Sequence, residues 1–169
     1  MSWEAASLKS GSAVAAASEL SDGAGFVAVT GSRDIDRTTA RHLFELHLAP
    51  LLHQGRTWVL AGARGLDQWA IEWLREHSEI CWVVVPYTMT DQPQWAQTLV
   101  EQVDRVVELR LPKRKSAGAF RNRYLVDLSQ VVFGFWSGKG GGTLKTLRSA
   151  LRKRREVHGI PVVGVEASE

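Results

Sequence analysis

A chain of 169 residues suits one domain of ordinary size. Apolar residues make up 44% and charged residues 23%, which excludes the composition of a disordered chain, and no apolar run reaches the length that a bilayer requires. The formal net charge of +3 is bunched in "PKRK" (112–115) and "LRKRREVH" (151–158), clusters that read first as solvated helix faces because nucleic-acid binders usually carry a larger excess.

Residues 1–23 are rich in Ala, Ser and Gly without steady periodicity and read as a flexible tail, leaving 24–169 as a single domain. Glu4 and the lack of a basic n-region make this tail a poor signal peptide. The lone Cys81, inside "ICWVVVP", has no internal disulfide partner and reads as a reduced, buried thiol. Together these features predict a cytoplasmic location with no membrane attachment.

In chain order, "FVAVTGSR" has the pattern of a strand buried on both faces, and Ala40, Leu43, Phe44, His47, Leu48 and Leu51 then recur at helical spacing. "RTWVLAG" (56–62) is the next strand, followed by a helix with Leu66, Trp69, Ala70, Trp73, Leu74 and His77 on one face. "EICWVVVP" (79–86) is a third strand, 91–103 a helix with Pro93 in its first turn, and 104–111 a weaker fourth strand. The helix "AFRNRYLVDLS", the strand "QVVFGFW" (130–136), a glycine loop, a helix over 143–157 with Leu144, Leu147, Leu151 and Val157 inward, and a strand over 160–166 complete the series. Such alternation predicts an α/β fold with a doubly wound, mostly parallel sheet. Trp58, Trp69, Trp73, Trp82 and Trp136 read as core or interface, whereas Trp3 and Trp95 have no evident place.

Ligands of open parallel sheets bind beyond the carboxyl ends of the strands, which directs attention to three loops: "TGSRD" (30–34), "AGARGLD" (61–67) and "WSGKGGGT" (136–143). Bare backbone followed by a helix start suits phosphate, because N–H groups and the positive end of the helix dipole point the same way. Gly140, Gly141, Gly142 and Thr143, read as a helix N-cap, supply such a loop, yet Lys139 precedes the glycines and the Walker pattern is not met. Tight turning alone explains one such loop equally well. Arg33 after Gly31 and Ser32, Arg64 between Gly62 and Gly65, and Arg121 with Asn122 at a helix start add forks that clamp phosphate or carboxylate. Asp67 suits either a helix cap or a ribose hydroxyl, with the cap the simpler reading. The five histidines show no metal spacing, so neither a metal nor a further cofactor is expected.

"VAVTGSRD", "LAGARGLDQWAIEWL", "AGAFRNRYLVDLSQVVFGFW" and "GGGTLKTLRSALRKRREVHGIPVVGV", in this order from about Phe26 to Val165, resemble the SLOG superfamily, most closely its YspA/cpYpsA-related branch. The resemblance implies a Rossmann-like three-layer αβα fold with a pocket for a nucleotide-derived ligand. It assigns Gly31, Ser32, Arg33, Gly62, Arg64, Gly65, Asp67, Arg121, Asn122, Gly141, Gly142 and Thr143 to that pocket. Related branches include the LOG phosphoribohydrolases and the DNA-processing protein DprA.

LOG enzymes carry a glutamate shortly after the glycine loop that assists N-glycosidic cleavage, and here that position is Thr146, which cannot act as an ionised carboxylate. The resemblance therefore implies binding or sensing of a nucleotide or nucleotide derivative in the first place, with DprA-like single-stranded DNA binding and LOG-like cleavage as alternatives. A homo-oligomer is also expected.

Overall fold

Strands that are apolar on both faces must be covered on both faces, and the chain meets this demand with helices above and below one sheet. A computed structural model describes residues 25–139 and 141–162, so the tail, Trp3, Gly140 and the predicted strand residues 163–166 lie outside the described residues. Six strands, β1 (Phe26–Gly31), β2 (Thr57–Leu60), β3 (Ile80–Val85), β4 (Arg105–Glu108), β5 (Val131–Trp136) and β6 (Glu156–Pro161), form one sheet in the order β4-β3-β2-β1-β5-β6. Every pairing is parallel; Val27, for example, stands opposite Trp58 on one side and Val131 on the other.

Five α-helices connect the strands: α1 (Arg37–His47), α2 (Leu66–Glu76), α3 (Gln94–Val100), α4 (Ala117–Leu128) and α5 (Gly142–Arg152). Alternation along β1 sends Val27 and Val29 to one core, with Phe44 of α1, Trp73 of α2 and Val100 of α3. Phe26 and Ala28 point to the other core, with Tyr124 and Leu125 of α4 and Leu147 of α5. Phe44 is fully buried and packs edge-on against Phe135 at 5.6 Å, burial that contributes about 1.5–3 kcal/mol for a side chain of this kind.

The topology fixes where a ligand can enter. From β1 to β4 the chain steps outward in one direction with α1–α3 on one face; it then returns to β5 on the far side of β1, with α4 and α5 on the opposite face. Strand order thus reverses between β1 and β5, and the helices diverge there.

Several local expectations are corrected. The last helix ends at Arg152 and not at residue 157, because Arg154 adopts φ 58 and turns the chain, leaving Glu156–Pro161 to form β6. Leu151 is accordingly 62% exposed, and the inward face of α5 is Thr143, Thr146, Leu147 and Ala150. The N-cap of α5 is Gly141, so Thr143 is the second helical residue. Pro93 caps a shorter α3 from outside its first turn. Trp58 and Trp73 are fully buried and Trp82 is nearly so, as their spacing predicts. Among the described residues no helix is long and apolar enough to cross a membrane.

Candidate functional site at the switch point

At the reversal between β1 and β5 lies a cavity of about 420 Å³. Its floor is the end of β1, with Thr30, Gly31 and Ser32, and its walls come from the loops after β2 and β5 and from α4. Ser32 joins the two central strands: its N–H donates to the Phe135 carbonyl at 3.0 Å, and the Ser137 N–H donates to its hydroxyl oxygen at 2.9 Å. Gly31 is required by packing, since a Cβ there would stand 2.6 Å from the Leu66 side chain.

Arg33, Asp34, Asp67, Arg121, Asn122, Lys139, Gly141, Gly142 and Thr143 complete the lining together with Ala61 and Ala63. Arg121 and Asn122 sit in the second turn of α4 rather than at its start. The Arg121 guanidinium donates to the Asn122 side-chain oxygen at 2.9 Å and to the Ala61 carbonyl at 3.3 Å, which aims it across the end of β2. Burial depresses its affinity for the proton, the Asp67 carboxylate opposes that, and the like charge of Arg33 adds to it.

Asp67 is the unusual group. It is 3% exposed and does not cap α2, whose N-cap is Gly65; one oxygen accepts the Ala63 N–H at 3.2 Å and the other, Oδ1, is buried without a partner. Burial pushes its pKa up to about 6, against the hydrogen bond from Ala63 and the charges of Arg121 and Arg33. The Asp67 side chain thus lines the cavity while one of its oxygens is a buried acceptor left unmet, at a cost on the order of 1–3 kcal/mol.

The N-terminus of α5 opens on the same cavity with no side-chain cap, and a Cβ built at Gly142 would meet nothing within 4 Å. Unsatisfied N–H groups of this first turn form a site for an anion. Thr146 is absent from the lining: its hydroxyl donates back to the Gly142 carbonyl at 2.9 Å.

Three candidate residues from the sequence do not line the cavity. Gly62 and Gly65 are structural joints, and Arg64 turns outward to stack over the Trp95 ring at 4.6 Å, which gives that tryptophan a place. Gly140 lies outside the described residues. Sequence reasoning missed Thr30, Asp34, Ala61, Ala63 and, among cations, Lys139, whose membership of the glycine loop was the available signal.

The sheet order and the cavity at its reversal define a Rossmann-like α/β protein of the doubly wound class. The family model for DNA recombination-mediator protein A matches residues 14–168, and the chain belongs to that family. Among solved structures, DNA processing protein A (DprA) from Streptococcus pneumoniae is similar with TM-score 0.68 and 20% identity, covering 81% of this chain and 50% of that one. A DNA processing protein A from Helicobacter pylori, described for its single-stranded DNA binding mode, has TM-score 0.67 and 21% identity over 85% of this chain and 68% of that one. TM1055 has TM-score 0.52 and 18% identity over 79% and 72%. These relationships set the chain in the SLOG superfamily with its DprA and LOG relatives. The chain spans about half the length of the Streptococcus pneumoniae protein, and no curated protein matches it.

Proposed function

We propose that the chain binds single-stranded DNA and seats the phosphate of one nucleotide in the cavity between β1 and β5. The observation that carries this reading is the convergence of Arg33, Arg121, Lys139 and the uncapped start of α5 on one cavity. Among the described lining residues these three cations outnumber the two carboxylates, Asp34 and Asp67. Such a surround favours phosphate through charge-assisted hydrogen bonds. Membership of the DNA recombination-mediator family supports DNA as the carrier of that phosphate, as does the DNA-binding relative from Helicobacter pylori.

A second reading, a free nucleotide or nucleotide-derived ligand, draws support from the size of the cavity and from Asp67 Oδ1, which suits a sugar hydroxyl or a base N–H. Cleavage of the LOG type has less support, since the residue at the glutamate position turns its hydroxyl to its own helix.

Fluorescence anisotropy with labelled oligothymidylate tests the proposal. The expected result is saturable binding that weakens steeply with salt, reduced by about 100-fold or more in the Arg33→Ala/Arg121→Ala double variant. Absence of binding at low salt by folded protein overturns the DNA reading. Thermal stabilisation by 5′-mononucleotides in that circumstance would establish the second.

A further inference from the structure

Beside the cavity runs a second groove of about 360 Å³, between α4 and α5. Asn122 and Gly142 line both, so the two adjoin. Beyond that shared edge, among the described residues, the groove presents three cations, Arg123 from α4 and Lys145 and Arg152 from α5, and no carboxylate. All three are exposed, and among the described residues none is in an ion pair. The acid that follows on α4, Asp127, is matched by Lys153, and the Arg123 guanidinium lies 5.1 Å over the Phe120 ring.

Packing does not explain this arrangement. Leu125 of α4 and Leu147 of α5 belong to one buried apolar cluster, whereas Lys145, Ser149 and Arg152 follow one another at helical spacing along the rim. Like charges left facing each other across a groove lower stability unless an anion lies between them. From Gly142 to Arg152 the helix rises by about 15 Å, the length of roughly four stacked nucleotides of one strand. No aromatic ring is among the residues lining the groove, so it suits a sugar-phosphate backbone and offers no stacking platform for bases.

We infer that this groove is a second phosphate subsite, which receives the nucleotides adjoining the one seated in the cavity. The inference rests on the DNA reading above. It makes the substrate a polynucleotide run of several residues, held by its backbone without regard to base sequence, with Arg123, Lys145 and Arg152 as the phosphate contacts.

The test compares the full-length chain with the Arg123→Ala/Lys145→Ala/Arg152→Ala variant, using 5′-dTMP, (dT)2, (dT)4 and (dT)8 as probes over a salt series. For the parent, affinity rises from (dT)2 to (dT)8. The expected result for the variant is unchanged 5′-dTMP affinity, about tenfold or weaker (dT)8 binding, and a salt slope shallower by about 2, from three lost contacts at about 0.7 each. Equal (dT)8 affinity and slope in the two proteins, with binding still lost in Arg33→Ala/Arg121→Ala, overturns the groove and leaves the cavity reading intact. Equal weakening of 5′-dTMP and (dT)8 also overturns it. Failure of the parent to bind any oligonucleotide overturns the DNA reading itself, and the groove assignment with it.

Discussion

The loop after β2 and the loop after β5 are both rich in glycine and both open a helix, yet they are put to different uses. In the first, Gly65 has φ 79 and a Cβ there would stand 2.4 Å from the Arg33 carbonyl oxygen. The Leu66 N–H donates to the Ser32 carbonyl at 3.2 Å, so the start of α2 is engaged by the protein's own backbone. In the second, a Cβ at Gly142 meets nothing and α5 has no side-chain cap. The first loop is a joint and the second leaves its helix start open. What separates them is not the number of glycines but what stands where each Cβ is missing.

Breaking the joint has the largest expected effect. Gly65→Ala adds a methyl group against a carbonyl at a positive φ, and thermal unfolding should show a loss of about 3 kcal/mol, or about 10 °C in Tm. An unchanged Tm would show that loop to be as open as the other.

Next comes Asp67, which ties the joint to the cavity. Its folded-state pKa of about 6 lies above the ordinary 3.8, so the folded protein binds the proton more tightly than the unfolded chain does. Above pH 6 both states hold a carboxylate and the folded state carries the whole penalty. As the pH falls from about 6 towards 4 the folded state is protonated first, and this contribution to stability rises. Asp67→Asn keeps an acceptor for the Ala63 N–H, so at pH 8 it should be more stable than the parent by up to about 3 kcal/mol, with the difference closing near pH 4. Denaturant unfolding at both pH values checks this, and a gap independent of pH would refute it.

The smallest effect on stability belongs to the open loop. Gly142→Ala meets no atom within 4 Å and suits a helix start, so stability should move by less than about 1 kcal/mol. Oligonucleotide affinity should nevertheless fall by about tenfold, because the methyl group enters space that both cavities share. Stability loss without loss of affinity would reverse the comparison.

The order of strands and helices was legible because parallel strands buried on both faces leave continuous apolar runs such as "CWVVV" and "VVFGFW". The end of α5 was not, because the turning residue is Arg154 inside a basic run and no glycine or asparagine marks it. Loop position and residue type were enough to bring Ser32, Arg33, Asp67, Arg121 and Asn122 to the lining of one cavity. That Gly65 and Arg64 lie off this lining was not legible, because their partners, the Arg33 carbonyl and the Trp95 ring, are distant in sequence and leave no local signature. Asp67 as a cap was a sound local reading, overturned by a backbone N–H on the preceding loop.

Ser32 binds the end of β1 to the strand and loop on the other side of the reversal, through Phe135 and Ser137. The width of the mouth is therefore set before anything enters it. On the DNA reading proposed above, capture would freeze the incoming strand far more than the loops that receive it, so the entropy lost on association would fall mainly on the DNA.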